Sequence, residues 1–457
     1  MTDAPRAAAL ELLRVVREDD AYANLALPSI LRQRGLDGRD AAFATELGYG
    51  TLRWQGWYDA VLEACVTRPW AKVEPALRDI LRLGAHQLLH MRVPDHAAVD
   101  SSCALAKEAG PRQTAAGRAG FVNAVLRKVA ALDEDGWVER LGEGRPSDDV
   151  EWLATRWSHP TWMVRAFQDA LGPRRAELGA LLAADNAPAR PTLVARPGRL
   201  SAADLLALPG TEPARWSPLA ATLVHGTPDS LAEIRDGRAG VQDEGSQLVA
   251  LALAAVPVAG PDQAWLDMCA GPGGKAAILE GLAVDRGATL VAVEQHPHRA
   301  ELVESSLAPA SGTSVVVGDA RLTPWGDTVF DRVLLDAPCT GLGALRRRPE
   351  SRWRRTPADL AALGSLQRDL LRAGLAATRP GGVLAYVTCS PHLAETEFVV
   401  SDVLRGRTDA WLEDARGLLP GVDDLGDGPT VQLWPHRHGT DAMFLAVIRR
   451  EDAPVAQ

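Results

Sequence analysis

Two cysteines carry the strongest chemical signal in the sequence, because each follows an apolar run. Cys339 closes Asp-Ala-Pro-Cys after VLLD, and Cys389 lies in Thr-Cys-Ser after VLAYV. Runs of this kind predict strands buried on both faces. If the two strands are neighbours, their ends bring two thiols to one crevice, where a thiolate can act as a nucleophile. Cys65 and Cys103 lie in apolar helical segments and are interpreted as core residues.

A glycine-rich turn precedes both cysteines along the chain. It reads Asp-Met-Cys-Ala-Gly-Pro-Gly-Gly-Lys, ends at Lys275, and lies between an apolar run and a helical pattern. Glycines let the backbone approach a ligand closely, and the start of a helix offers free N–H groups. The spacing is neither GxGxxG nor GxxxxGK[ST], so it favours neither a dinucleotide loop nor a P-loop.

Three carboxylates follow the turn, each at or near the end of an apolar run: Glu294, Asp319 and Asp336. In an open α/β sheet the carboxyl ends of the strands line the ligand crevice. Glu294 lies about 20 residues after the turn, where an acid suits the two hydroxyls of a ribose. We expect Asp319 to accept from an adenine amino group. The pattern predicts an adenosine-type cofactor and leaves open whether that cofactor carries phosphate.

A basic run follows Cys339 and holds six arginines and one acid in residues 346–355. Arginines bind phosphates, and a tryptophan can stack on a base. A solvated charged loop is the alternative interpretation. The predicted RNA-binding residues are Arg346, Arg347, Arg348, Arg352 and Trp353.

The surrounding sequence indicates how these residues are positioned. Residues from 5 to about 135 show helical periodicity, and 136–148 are interpreted as a linker. A tryptophan-rich stretch on both sides of Pro160 predicts two helices. Short strands (PTLVAR, ATLVHG) around the helical SAADLLAL predict a small α/β region, and beyond 241 buried strands alternate with helices. The predicted domains are a helical bundle (1–140), a small α/β subdomain (148–238) and a doubly wound α/β domain (239–450).

Composition limits the class of protein. The chain has 457 residues, 46% of them apolar and 24% charged, which is typical of two or three globular domains. We find no apolar stretch long enough for a membrane span, and early charges argue against a signal peptide. Five cysteines without a CxxC pair argue against disulfides and zinc and favour the cytoplasm. The net charge of -10 argues against extensive nucleic-acid coating, although a local basic patch suffices for phosphate contact.

Taken together, LDMCAGPGGK, DAPC and YVTCS resemble the RNA cytosine-C5 methyltransferases that use S-adenosylmethionine. The segments YGTLR, ILRLGAHQLL, VPDHAAVD and GFVNAVLRKV are similar to the NusB domain. A NusB-like domain before this catalytic domain is the layout of the RsmB (Sun, Fmu) branch, which acts on 16S ribosomal RNA. The resemblance covers essentially the whole chain. It implies a NusB-like bundle, a small RNA-recognition subdomain and a Rossmann-like methyltransferase domain, in a metal-free monomer.

The resemblance also implies roles for individual residues. Cys389 matches the nucleophile and Cys339 the cysteine that assists product release, and Asp336 is placed to hydrogen-bond the pyrimidine edge. The positions that match S-adenosylmethionine contacts are Cys269, Ala270, Gly271, Pro272, Gly273, Gly274, Lys275, Glu294, Asp319 and Asp336.

Two motifs depart from the family pattern. Gly271 stands where the family commonly has alanine, a change expected to leave the turn intact. Asp441-Ala-Met-Phe replaces the frequent Asp-Gly-Phe-Phe, so we expect less aromatic packing near a target base.

Three alternatives compete with an rRNA cytosine methyltransferase. A tRNA cytosine methyltransferase would share the catalytic half, and only the NusB-like domain favours rRNA. An RNA-binding or antitermination scaffold with an inactive enzyme domain would have no need of both cysteines and the glycine turn. A nicotinamide-dependent oxidoreductase would be expected to carry GxGxxG, which this turn does not.

Overall fold

The computed structural model describes residues 3–308 and 312–451. The chain divides into two compact units. Unit 1 is Met1–Ala187 with Leu345–Arg354, and unit 2 is Pro188–Ala344 with Arg355–Gln457. Of the predicted second domain, the part up to residue 187 therefore belongs to the helical unit and the remainder to unit 2. Met1 and Thr2, in the predicted first domain, lie outside the described residues.

Unit 1 is helical throughout its described secondary structure. Its helices are α1 (Ala4–Glu18), α2 (Ala23–Gln33), α3 (Gly38–Arg53), α4 (Gln55–Cys65), α5 (Pro75–Leu89), α6 (Asp95–Glu108), α7 (Ala115–Val129), α8 (Glu134–Gly142), α9 (Val150–Arg156), α10 (Thr161–Leu171), α11 (Leu178–Asp185) and the short α17 (Ser351–Arg354).

The first helix shows why these segments fold as they do. Asp3 caps α1 by accepting from the backbone N–H of Arg6 at 2.9 Å, and Pro5 occupies the first turn, where its missing N–H costs nothing. Alanine and leucine recur three or four residues apart along α1, so they fall on one buried stripe. The stripe packs into one apolar cluster that α1 shares with α3, α4, α5 and α7.

The predicted linker at 136–148 is wrong in its first half, because α8 extends to Gly142. The helix is stabilised by Trp137, which is buried and donates its indole N–H to the backbone oxygen of Val129 at 2.9 Å. Glycines and acids in this stretch suggested a loop, but burial of a single tryptophan overrides weak local propensity. The two helices predicted on either side of Pro160 are present as α9 and α10.

Unit 2 begins with a small antiparallel sheet of order β2-β3-β1-β4. Strands β1 and β3 and the helix α12 correspond to the predicted strands and helix of the 190–240 region. The elements are β1 (Thr192–Ala195), α12 (Ala202–Leu206), β2 (Thr211–Pro213), β3 (Ala220–Leu223), α13 (Ala232–Arg235) and β4 (Ala239–Val241).

The larger sheet of unit 2 has the order β10-β12-β9-β8-β5-β6-β7, with β11 paired to β12. Strands β5 to β9 are parallel, and β12 runs antiparallel between β9 and β10. The strands are β5 (Ala264–Asp267), β6 (Thr289–Glu294), β7 (Ser314–Val317), β8 (Phe330–Asp336), β9 (Thr378–Thr388), β10 (Ala410–Glu413), β11 (Val431–Gln432) and β12 (Phe444–Arg450). The helices are α14 (Glu244–Ala255), α15 (Gly274–Asp285), α16 (Pro297–Ser306), α18 (Pro357–Ala377), α19 (Glu397–Leu404) and α20 (Pro435–His438).

The strand order places the ligand crevice. From β5 the chain builds outward to β6 and β7 on one side, and then returns to build β8 and β9 on the other. Ligands of doubly wound sheets bind at the carboxyl ends of the strands beside such a reversal. The apolar runs predicted as buried strands are β5 to β9, and the predicted doubly wound domain is confirmed. Strand β7 lies at the edge of the sheet with half-buried and exposed residues, so the predicted burial on both faces is wrong for this strand.

No helix in the described part of the chain is long and apolar enough to cross a membrane.

Candidate active site

The carboxyl ends of four parallel strands carry the reactive side chains. Asp267 ends β5, Glu294 ends β6, Asp336 ends β8, and Cys389 directly follows β9. The pairing of β8 with β9 sets Asp336 opposite Val387, and the N–H of Ala337 donates to the oxygen of Val387 at 2.9 Å. This register brings the loops after the two strands together.

The two cysteines predicted to meet do so. Sγ of Cys339 lies 3.5 Å from Sγ of Cys389, and both side chains are half-buried. The hydrogen bond to Cys389, together with burial and the nearby carboxylates of Glu395 and Asp336, raises the pKa of the Cys339 thiol well above its ordinary value. At neutral pH Cys339 therefore keeps its proton and can donate an S–H hydrogen bond to a thiolate on Cys389.

A lysine–aspartate pair lies in the same crevice. Nζ of Lys275 donates to Oδ2 of Asp336 at 2.7 Å, and the lysine side chain is only 13% exposed. Burial opposes the ammonium charge, but the carboxylate of Asp336 and the neighbouring Cys389 more than offset it and raise the pKa of Lys275. This pair therefore places a fixed positive charge near the side chain of Cys389.

The glycines of the glycine-rich turn lie close to neighbouring side chains and leave no space for a Cβ at Gly271 or Gly273. The N–H of Gly273 closes the turn onto the oxygen of Ala270 at 2.7 Å, and Gly273 has a φ of 111°. A Cβ on Gly271 would collide with Oε2 of Glu294, and Nη2 of Arg299 donates to the oxygen of Gly271 at 2.6 Å. An alanine at 271 would therefore require Glu294 to move. Pro272, Gly274 and Lys275 continue the turn into α15.

Asp267 is a site residue that the sequence prediction omitted. It is 1% exposed, its Oδ1 accepts from the N–H of Cys269 at 3.3 Å, and its Oδ2 has no hydrogen-bond partner among the described residues. Burial, followed by the charge of Asp336, raises the pKa of Asp267 to about 7. An orphaned acceptor beside a glycine turn fits a ligand with a positive charge or a hydrogen-bond donor.

The third cysteine of the crevice, Cys269, differs from the other two in environment. Burial and the nearby carboxylates of Asp267, Asp336 and Glu294 raise the pKa of its thiol well above the ordinary value. The thiol stays protonated, which suits a packing role in a cofactor pocket and not nucleophilic attack.

Glu294 and Asp319 differ in how far they are engaged. Glu294 is 4% exposed, with Oε1 accepting from the N–H of His296 at 2.9 Å and Oε2 lying 3.6 Å from Arg299. Asp319 pairs with Arg321, whose N–H and guanidinium hydrogen bonds lower the pKa of the Asp319 carboxyl. The N–H of Gly318 donates to the backbone oxygen of Glu294 at 3.0 Å, which sets Asp319 at the neighbouring strand end.

The loops behind the cysteines are joined by a residue that the sequence prediction missed. Glu395 is fully buried and accepts from the N–H of Thr340 at 2.8 Å and from the hydroxyl of Ser390 at 2.7 Å. Thr340 directly follows Cys339, and Ser390 directly follows Cys389. Glu395 ends a short 3₁₀ turn, Leu393–Glu395, that matches none of the motifs read from the sequence, so no sequence pattern singled it out.

The departure at Asp441-Ala-Met-Phe affects packing behind the site. Phe444 is buried and lies edge-on to Tyr386, with ring centroids 6.3 Å apart. The N–H of Ala442 donates to the oxygen of Gly343, and the N–H of Gly343 donates to the oxygen of Cys389, both at 2.9 Å. The segment therefore braces the loop after Cys389 through backbone contacts.

The basic run up to Arg354 belongs to unit 1. The prediction that Arg352 binds RNA is contradicted by its position. Arg352 is fully buried, and its guanidinium donates to the backbone oxygens of Arg53 and Asp185 and to Oδ1 of Asn186 at 2.7 to 2.9 Å. Because these acceptors are protein groups in the interior, Arg352 has no surface to offer RNA. The guanidinium of Arg348 lies 5.2 Å from the ring centre of Tyr22, and Trp353 is 40% exposed.

The described residues contain no group of three or more His, Cys, Asp or Glu side chains arranged to hold a metal ion.

Comparisons with known proteins agree on the kind of protein. Residues 255–449 match the family described as 16S rRNA methyltransferase RsmB/F, and residues 3–131 match the NusB family. A Mycobacterium tuberculosis (strain ATCC 25618 / H37Rv) protein named only as a methyltransferase is 54% identical over 98% of this chain and 97% of its own length. A probable ribosomal RNA small subunit methyltransferase B of Bacillus subtilis (strain 168) is 32% identical, covering 97% and 98%.

A solved structure supports the same fold over the whole chain. The crystal structure of PH0851 superposes with a TM-score of 0.79 at 22% identity and covers 98% of both chains. With a family match over the catalytic half and relatives of 32% identity or more over nearly the full length, the chain belongs to the RsmB/F family of methyltransferases and carries a NusB family domain at its N-terminal end.

Proposed function

We propose that this protein methylates C5 of a cytosine in 16S ribosomal RNA through a covalent adduct between Cys389 and C6 of the base. The observation that carries the proposal is the 3.5 Å approach of two thiols beside a partly buried lysine–aspartate pair. One thiol suffices for nucleophilic attack, so a second thiol at the same place needs a separate task. The family name and the name of the Bacillus subtilis relative support rRNA as the substrate.

Covalent activation answers a problem in cytosine chemistry. C5 of cytosine is too weak a nucleophile to accept a methyl group unaided. When the Cys389 thiolate adds to C6, the C5–C6 double-bond electrons become available at C5. The ammonium of Lys275 lies near the attacking sulfur, and Sγ of Cys339 lies within hydrogen-bond distance of it.

Asp336 orients the base in this scheme. Its Oδ2 is held by Lys275, while the carboxyl group is about a quarter exposed at the mouth of the crevice. A carboxyl group so placed can hydrogen-bond the N3 and N4 edge of a cytosine. The carboxylate would accept from the N4 amino group and stabilise a proton on N3, and that N3 proton draws electron density from the ring and makes C6 more electrophilic.

Cys339 completes the cycle by releasing the product. The hydrogen bond to Cys389, followed by burial and by the charge of Cys389, raises the pKa of Cys339. Once the sulfur of Cys389 is a neutral thioether, that negative charge is gone and Cys339 ionises more readily. The Cys339 thiolate then takes the C5 proton, the C5–C6 double bond re-forms, and Cys389 leaves as a thiolate.

The turn from Cys269 to Lys275, with Glu294 and Asp319, would hold S-adenosylmethionine, which supplies the methyl group when bound. Glu294 suits the ribose hydroxyls, and Asp319 the adenine amino group. The orphaned Oδ2 of Asp267 adds negative charge near the turn, which suits a cationic sulfonium. We include Asp267 in the proposed set for this reason.

RNA contacts are proposed for unit 1. Arg346, Arg347 and Arg348 would bind backbone phosphates, and the half-exposed Trp353 would stack on an unpaired base. A target cytosine must leave its stack before the thiol can reach C6, which favours loops and single strands over duplex.

The test is transfer of labelled methyl from S-adenosylmethionine to unmodified 16S rRNA and, in parallel, to unmodified tRNA. The proposal predicts label in 16S rRNA alone, recovered as 5-methylcytosine after nucleoside digestion. Label in tRNA alone would keep the chemistry and overturn the substrate. Label on another base, or on neither RNA and not on assembling small subunits, would overturn the proposal.

A further inference from the structure

The loops that carry the two cysteines converge on one buried carboxylate. Glu395 is fully buried, and its Oε1 accepts from the N–H of Thr340 at 2.8 Å. Its Oε2 accepts from the hydroxyls of both Thr340 and Ser390. The two hydroxyl oxygens lie 3.2 Å apart. One carboxylate thus binds the residue after Cys339 and the residue after Cys389 simultaneously.

Further contacts hold the carboxylate itself in place. Nε2 of Gln367 donates to Oε1 of Glu395 at 3.2 Å and to the backbone oxygen of Pro338 at 2.8 Å. The hydroxyl of Tyr386, in β9, donates to the backbone oxygen of Glu395 at 2.7 Å. Helix α18, strand β9 and the loop of Cys339 are therefore all joined to the Glu395 segment.

Burying a carboxylate is costly unless hydrogen bonds satisfy it. Here the donors to Glu395 come from three segments distant in sequence, and two of those segments carry the thiols. A carboxylate satisfied in this way fixes the segments that satisfy it. Apart from Glu395, the two loops are joined by the backbone pairing of β8 with β9, which ends before the cysteines, and by the N–H of Gly343, which donates to the backbone oxygen of Cys389 at 2.9 Å.

We propose that Glu395 is the positioning residue that sets Sγ of Cys339 against Sγ of Cys389. This inference rests on the proposed function for its purpose. In that function Cys339 must reach the C5 proton of a cytosine already bonded to Cys389, so the separation of the two thiols must be fixed. Glu395 touches neither substrate nor cofactor in this scheme. It acts through the backbone and hydroxyl groups of Thr340 and Ser390.

The separation can be measured without RNA or methyl transfer. The mild oxidant diamide joins two neighbouring thiols: the S–S bond forms, and the N=N bond of diamide takes up the two electrons and two protons that the thiols release. The rate of the Cys339–Cys389 cross-link reports how often the sulfurs approach bonding distance. Peptide mapping by mass spectrometry under non-reducing conditions distinguishes this cross-link from any other.

Glu395→Ala should lower the cross-linking rate at least about tenfold, because a displacement of the reacting atoms by about 1 Å lowers a reaction rate by this factor or more. Glu395→Gln should stay within about threefold of wild type. Its Oε1 can still accept from Thr340 N–H, and its NH₂ can donate to both hydroxyls, which are acceptors as well as donors. Glu397→Gln, two residues along at an exposed position, is the matched control and should leave the rate unchanged.

Cofactor affinity and methyl transfer complete the test. Glu395→Ala should bind S-adenosylmethionine like wild type by calorimetry and should lose turnover more than affinity for RNA. A wild-type cross-linking rate in Glu395→Ala would overturn the inference. If Glu395→Ala does not fold, Ser390→Ala and Thr340→Val replace it in the cross-linking experiment. Each of the two variants should slow the cross-link. A wild-type rate in either variant would overturn the inference. Slowed cross-linking with a wild-type enzyme that does not methylate cytosine would overturn the proposed function and leave the positioning role intact.

Discussion

Lys275 in unit 2 and Arg352 in unit 1 are both cations largely removed from water, and they differ in what surrounds them. Lys275 pairs with the carboxylate of Asp336 near a thiol, and that charge raises its pKa. Arg352 donates its hydrogen bonds to neutral oxygens of the backbone and of Asn186, and burial lowers its pKa to about 9 although the nearby carboxylate of Asp185 acts in the opposite direction. The pairing of Lys275 with Asp336 places charge next to a reactive thiol, whereas the hydrogen bonds of Arg352 join segments of unit 1. A basic residue next to a motif thus does not by itself indicate a binding site.

The largest effect is expected from removing the nucleophile. Cys389→Ala should lower methyl transfer by about 10⁴-fold or more, because C6 then has no thiolate to add. The thermal unfolding midpoint and the Kd for S-adenosylmethionine should stay near wild type. Cys103→Ala, which removes a half-buried cysteine of unit 1, is the control and should retain full activity. Measurable 5-methylcytosine from Cys389→Ala would show that the nucleophile is wrongly assigned.

Arg352→Ala should have the opposite signature. It removes a buried guanidinium that donates to several interior oxygens, so unit 1 should lose about 3–5 kcal/mol of unfolding free energy. Urea unfolding measures the loss, and calorimetry should find the affinity for S-adenosylmethionine in unit 2 unchanged. Arg348→Ala, at an exposed position over Tyr22, should cost under about 1 kcal/mol. Weaker RNA binding in Arg352→Ala without a loss of stability would contradict the structural role.

Lys275→Met tests the role of the cation in unit 2. Turnover should fall about 10²-fold, since the fixed positive charge beside the reacting sulfur is gone. The unfolding free energy should change by only about 1 kcal/mol, because Asp336 is partly exposed and water can take over its hydrogen bond. A stability loss as large as that of Arg352→Ala, with turnover intact, would remove the distinction between the two cations.

The smallest predicted effect concerns pH. Burial raises the pKa of Asp267 to about 7, so this carboxyl is neutral below that pH and charged above it. Its raised pKa favours the folded protein while protonated, and that contribution is lost as pH rises from about 4 to about 7. Cofactor binding has the opposite sign, because a sulfonium is attracted to the charged form. Affinity for S-adenosylmethionine should therefore rise about tenfold between about pH 6 and about pH 8.

Asp267→Asn is the control for this dependence. The variant should bind the cofactor with weak and nearly constant affinity over the same range. If the variant keeps the wild-type slope, another group in the crevice controls the titration.

The sequence predicted the features of the site that follow from local patterns and missed those that depend on contacts between separate segments. Apolar runs of parallel strands are a local signal, and strand ends in one sheet meet at one edge. The meeting of Cys339 with Cys389, at 3.5 Å, was therefore predictable. The burial of Arg352 was not, because its acceptors lie near residues 53, 158 and 186, and no local pattern records that contact. Glu395 was missed for the same reason, since its donors come from three separate segments.

The covalent adduct is the central claim, and Cys339→Ala gives the most direct measurement of it. The variant should still attack and methylate the base but should lack the thiol that removes the C5 proton, so the enzyme should accumulate bonded to its RNA. Cys339→Ala is incubated with S-adenosylmethionine and 16S rRNA, digested with nuclease and protease, and examined by mass spectrometry. We predict a methylated cytidine on the peptide that contains Cys389. An adduct on any other residue, or active turnover by Cys339→Ala with no adduct, would contradict the mechanism.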